Sequence, residues 1–160
     1  MYSCHFGDTE MNDFWAIIGT NDLTSSESVA AALAKVRERL STTSPARLAK
    51  FDQSLARQLY ELDRGEFFEI PVVRDDGREF KQSDDHFLYA RCACILTGAT
   101  TMAQVLSGDR SFAGFTAIRL QSAELLLYLA ERVGEEVFGV KITQLPSPPI
   151  ETGSNTQYWQ

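Results

Sequence analysis

The chain is predicted to be all-α or predominantly α, a single-domain helical bundle with a small hairpin or irregular insertion near residues 65–82. Three observations carry the prediction. Apolar residues recur at helical spacing through four segments that together fill residues 11–140. Serine, threonine and proline start signals and glycine stops punctuate those segments. Between residues 65 and 82 the helical period gives way to β-branched and aromatic residues around a turn signal. Residues 1–10 then form an N-terminal extension, 11–140 the helical domain and 141–160 a Pro-rich polar C-terminal tail.

The elements follow in order. Asp13-Phe14-Trp15-Ala16-Ile17-Ile18 is a short apolar segment that Gly19 stops. Thr24-Ser25-Ser26-Glu27 offers hydroxyl caps and an acidic first turn, after which Val29, Leu33, Val36 and Leu40 form one stripe at spacings of four, three and four. Lys35, Arg37, Glu38 and Arg39 lie largely away from that stripe. Ser44-Pro45 supplies a cap and an N1 proline before Leu48, Phe51, Leu55, Leu59 and Leu62, so these two helices are expected to pair as an antiparallel hairpin.

In the insertion, Phe67, Phe68, Ile70, Val72 and Val73 precede the Asp75-Asp76-Gly77 turn, and Pro71 argues for a sheet edge. An amphipathic segment resumes at Ser83 and runs through Phe87, Leu88, Ile95, Met102, Val105 and Leu106 to Ser107-Gly108, with an interruption point at Thr97-Gly98. A last helix is predicted from about Phe112 to Phe138, with Ile118, Leu125, Leu126, Leu129, Val133 and Val137 facing inward and Gly139 as its stop. Pro146, Pro148 and Pro149 exclude helix from the tail.

Composition narrows the function classes. At 160 residues, 44% hydrophobic and 11% aromatic, the chain can build a real core, which excludes general disorder. A net charge of −7 and a pI near 4.8 repel phosphate backbones and anionic lipids. Neither nucleic acid nor membrane is therefore an expected partner. The N-terminal residues lack the basic start and apolar core of a signal peptide, and no apolar run approaches the roughly 20 residues of a membrane span, so the expected location is cytoplasmic. Cys4, Cys92 and Cys94 include no CxxC pair. Residues two apart on a helix point about 200° apart, so Cys92 and Cys94 read as free, small core residues.

Asp13-Phe14-Trp15, Phe51-Asp52, Ser83-Asp84-Asp85 shortly before Phe87, Arg91, and Glu124-Leu125-Leu126-Leu127-Tyr128 occur in an order that resembles an uncharacterised bacterial family, domain of unknown function number 4240. The resemblance covers roughly residues 11–140. It departs at one loop: the family's Ser-Asp-Asp is usually led by Gly-Gly-Cys and followed by a small residue, whereas Lys81-Gln82 precede it here and His86 follows. The resemblance implies no established activity.

Ser83-Asp84-Asp85-His86 is the densest group of chemically capable side chains, and it has two readings. In the favoured one Ser83 caps a helix and Asp84 and Asp85 sit in its first turn, each interacting with the helix end by about 0.3–1 kcal/mol. In the sharper one Asp84, Asp85, His86 and Arg91, joined by Glu61, Asp63 and Arg64, enclose a polar pocket holding a general base or a weak divalent-metal site on Asp84, Asp85 and His86. No HExxH, GxSxG, GxxxxGK[ST] or GxGxxG motif occurs, and no cofactor is expected. Cys4-His5 is the only adjacent Cys–His pair.

The expected function is a non-catalytic protein-binding module that takes a basic partner, in the manner of an immunity protein neutralising a toxin. Glu61, Asp63, Asp75, Asp76, Glu131 and Glu135 are its candidate partner-binding carboxylates. The alternatives are a small acid/base or metal-assisted enzyme using the Ser83–His86 cluster, and a homo-oligomeric structural or regulatory subunit that self-associates through an apolar helix face.

Overall fold

The computed structural model describes residues 8–160, so the Cys4-His5 pair lies outside the described residues. The architecture is predominantly α: α1 (Asp8–Ile18), α2 (Ser26–Ser41), α3 (Pro45–Glu61), α4 (Gly65–Phe68), α5 (Asp84–Thr97), α6 (Ala99–Ser107) and α7 (Leu129–Phe138), with a hairpin of β1 (Val72–Val73) and β2 (Glu79–Phe80). Among the described residues three 3₁₀ helices join these, at Phe112–Phe115, Ile118–Tyr128 and Thr156–Tyr158. Among the described residues no helix is long and apolar enough to cross a membrane.

The start signals act as their chemistry requires. The Ser25 hydroxyl accepts the Ser28 amide while the Ser28 hydroxyl accepts the Ser25 amide, a reciprocal capping box for α2. Ser44 caps α3 with Pro45 in its first turn. Gly19, Gly108 and Gly139 take positive φ where α1, α6 and α7 end. The insertion forms the expected hairpin, with Val72 opposite Phe80 and Val73 opposite Glu79.

The long segment from Ser83 does break at Gly98, whose φ is 119°. A Cβ there would approach the Gly19 carbonyl oxygen to 2.7 Å, so close passage of the 19–20 backbone forces glycine and splits α5 from α6. α5 differs from its prediction in kind. Beyond its first turn it is buried all round, from Ala90 to Thr97, and α1, α2, α3, α6 and the 112–128 segment surround it. Cys92 and Cys94 are free and fully inside this helix, and burial pushes both thiols up to about 12.

The predicted antiparallel hairpin of α2 and α3 is not observed as a packed pair. α7 packs against both, and the 118–128 segment covers α2. Arg37 of α2 and Glu136 of α7 bridge that contact at 2.6 Å.

The predicted single helix over Phe112–Phe138 is also corrected. The backbone at Thr116-Ala117 is diverted to β1: the Val73 amide donates to the Thr116 carbonyl, and Val73 forms a parallel bridge with Ala117. After it, residues 118–128 wind as 3₁₀ helix, long for that type. With three residues per turn the inward face is Ala117, Leu120, Ala123, Leu126 and Leu129, all buried. Ile118 and Leu125, assigned inward on an α-helical period, are 38% and 37% exposed, and Val137 is 46% exposed.

Residues 141–160 contain no α-helix, as the prolines require, but they lie along the domain as a strap. Gly139 turns the chain, the Val140 amide donates to the Gly134 carbonyl, and Ile142 enters the core against Gly134. The Gln53 side chain then donates to the Pro146 carbonyl at 2.7 Å, and Trp159 packs on Phe68 and Phe87 with centroids 5.3 and 6.3 Å away.

Candidate functional site

Ser83-Asp84-Asp85-His86 builds a helix cap. The Ser83 hydroxyl accepts the His86 amide at 3.2 Å, and the Ser83 amide donates to His86 Nδ1 at 3.2 Å, so histidine takes the place that Glu or Gln holds in a usual capping box. The imidazole is further held edge-on to Phe80, with centroids 5.1 Å apart. Asp84 and Asp85 point into solvent from the first turn. Among the described residues no group of three or more His, Cys, Asp and Glu side chains is arranged to hold a metal ion.

Arg91 does not join that cluster. Five residues along an α-helix correspond to about 140° around the axis, which separates it from His86. Its side chain has 0% exposure; the guanidinium donates to the Leu59 and Ile150 carbonyls at 3.0 Å each and lies over the Phe87 ring at 4.5 Å. Burial lowers its pKa, opposed mainly by the negative charge of Asp63.

Asp63, proposed above as a partner-binding carboxylate, is corrected for the same reason. It has 0% exposure, and its carboxylate accepts the amides of Gly153 and Asn155 and the indole N–H of Trp159, at 3.0, 2.9 and 3.1 Å. Arg64 stacks on Tyr158 at 4.0 Å and donates to the Glu61 carbonyl. Arg91, Asp63 and Arg64 thus fasten the strap. Glu61, Asp75, Asp76, Glu131 and Glu135 do remain exposed, and Asp76 is partly matched by Arg74 and Arg78 at 4.0 and 3.8 Å.

The strap creates a site that the sequence reading missed. Between α3 and residues 143–151 lies a cleft of about 340 Å³. Ala49, Leu55, Leu59, Leu127 and Pro149 give it apolar walls, Asp52 stands inside it from α3, and Glu151 lines it from the strap. Asp52 is half-buried and accepts no hydrogen bond from any described residue. Burial, reinforced by the negative charge of Glu131 on α7, raises its carboxyl to about 7. A carboxyl in this condition can bind a cation, donate a hydrogen bond when protonated, or exchange a proton near neutral pH.

A signal for Asp52 was present. Leu48, Asp52, Leu55 and Leu59 are spaced four, three and four, so an acid occupies the apolar stripe of α3. Nothing local shows what covers that stripe, since the roof comes from residues 143–151.

A second cleft, of about 210 Å³, lies between α1 and α3 and is lined by Asp13, Phe14, Lys50 and Phe51. Lys50 pairs with Glu10 there at 3.3 Å, and the Phe14 ring packs on Trp15 and Phe51 as core.

Comparison with the curated proteins and with the solved structures finds no match. A family model does match, over residues 10–136, which spans every helix from α2 to α6, most of α1 and α7, and Asp52 itself. The chain belongs to the family described as Protein of unknown function (DUF4240).

Proposed function

We propose that the protein is a non-catalytic binding module of the bacterial cytoplasm that takes a basic protein partner, an immunity-type neutraliser being the form that fits its charge. The carrying observation is where the polar groups lie. Ser83 and His86 are consumed in a cap and Arg91 and Asp63 in holding the strap, while Glu61 at the end of α3, Asp75 in the β1–β2 turn, and Glu131 and Glu135 on α7 are exposed on a chain with net charge −7. Such a field steers a basic protein and speeds encounter.

The test is association kinetics with the partner recovered from the native host. The on-rate should fall steeply between about 50 and about 500 mM salt, as the Debye length shrinks well below 10 Å. Charge reversal at Glu61, Asp75 and Glu135 should slow it without unfolding the domain. An acidic partner, or an on-rate indifferent to salt, refutes the proposal.

One observation favours a second reading, self-association through an apolar face: Leu125, Tyr128 and Val137 are exposed along the 118–138 segment. Sedimentation equilibrium giving a dimer that Leu125→Glu dissociates would establish it.

A further inference from the structure

The strap-roofed cleft has features that the exposed carboxylates lack. Its volume of about 340 Å³ falls at the small end of ligand sites, which run from about 300 to 1,000 Å³. Among the described residues no Lys, Arg or His lines it, whereas Asp52 and Glu151 do. Asp52 has its acceptor capacity open, because no described residue donates to it, and the neighbouring Gln53 amide is committed to the Pro146 carbonyl. A half-buried carboxylate that no protein group donates to keeps only part of its hydration, and a cation with its own N–H groups makes up that loss. The walls suit the rest of such a ligand, since Leu55, Leu59, Leu127 and Pro149 offer apolar surface to a methylene stem.

We propose that this cleft receives an arginine or lysine side chain of the basic partner, its stem on the leucine and proline walls and its cationic head on Asp52. The assignment rests on the reading of the protein as a module for a basic partner and identifies where on the molecule that partner is anchored. The seating is coupled to protons. Among the described residues the charge that acts on Asp52 is Glu131 on α7, while Glu151 lines the same cleft from the strap and Leu127 lines it from the 118–128 segment. Burial first, and the negative charge of Glu131 second, keep Asp52 protonated up to about neutral pH, and an arriving cation displaces that proton to solvent. With a carboxyl that titrates near 7, affinity should tighten about tenfold from pH 6 to pH 8, because only the ionised form accepts the cation.

The experiment is an amide-resolved NMR titration of the full chain with Nα-acetyl-arginine amide, and with Nα-acetyl-citrulline amide as its neutral shape match. Arginine should give saturable shifts at Asp52, Leu127 and Glu151, about tenfold tighter at pH 8 than at pH 6. Citrulline should give none. Asp52→Asn removes the charge without changing side-chain shape and should fold at least as stably, so loss of saturable shifts in that variant reports the site rather than unfolding. Equal binding of citrulline, or arginine shifts that map only to Asp75 and Asp76, overturns the assignment.

Two further outcomes separate it from the reading it rests on. If Asp52→Asn binds the recovered basic partner with unchanged affinity, the cleft is not the anchor and the surface-field reading stands. If the arginine probe saturates the cleft while charge reversal at Glu61, Asp75 and Glu135 leaves association unaltered, the steering falls and the cleft remains.

Discussion

Asp52 makes a sharp thermodynamic prediction. Its carboxyl titrates near 3.8 in an unfolded chain and at about 7 in the fold, because burial and then Glu131 disfavour the charged form. The folded state therefore holds the proton more tightly than the unfolded state. The associated stability is fully present below about pH 4 and is lost as pH rises through about 7. At about 1.4 kcal/mol per pH unit, the interval from 3.8 to about 7 sets a ceiling of about 4 kcal/mol. The side chain is partly exposed and water screens it, so an observed effect of about 1–3 kcal/mol is expected. Asp52→Asn mimics the protonated form at every pH. Urea unfolding at pH 4, 6 and 8 should show the variant equal to wild type at pH 4 and more stable by that amount at pH 8. The difference between the two proteins isolates Asp52 from all other titrations. A variant less stable than wild type at pH 8, or a difference that does not change between pH 4 and 8, would refute the account of the cleft.

Three other substitutions test the remaining structure. Arg91→Ala leaves the Leu59 and Ile150 carbonyls without their donor and opens a hole beside Phe87, so urea unfolding should show a loss of about 3–5 kcal/mol. Protease cleavage within 141–160 should accelerate with it, and a loss under about 1 kcal/mol would mean the strap is held elsewhere. Gly134→Ala places a Cβ 2.8 Å from Ile142 and 3.2 Å from the Val140 carbonyl oxygen, so it should cost about 1–3 kcal/mol by overpacking where the strap leaves α7; unchanged thermal stability would contradict that close approach. Asp84→Asn combined with Asp85→Asn should lower stability by about 0.5–2 kcal/mol through the start of α5 and leave the melting temperature insensitive to Mn²⁺ or Mg²⁺. A rise of several degrees with metal in the wild type, absent from the double variant, would restore the metal-site reading of that cluster.

Local chemistry was legible from residue order alone. Ser25, Ser44 and Ser83 each cap a helix because a hydroxyl beside free amides needs no distant partner, and the hairpin at residues 72–80 follows from its Asp-Gly turn and β-branched flanks. The family was legible as well, through the order of short motifs. Long-range contacts decided the rest. Residues 118–128 adopt a three-residue period after the chain pairs with β1 at Thr116-Ala117, and that change alone turns Leu125 outward. Arg91 and Asp63 read as solvent-facing chemistry because charged residues usually stay in water. Their role as buried fastenings depends on backbone groups at Ile150, Gly153 and Asn155, roughly 60 to 90 residues away in sequence. Asp52 is the clearest case. Its identity and spacing mark an acid within an apolar stripe, but its raised proton affinity exists only because the fold half-buries it under the strap and α7 brings the charge of Glu131 near it. Helical periodicity shows which residues share a face; what covers that face depends on contacts that periodicity does not encode.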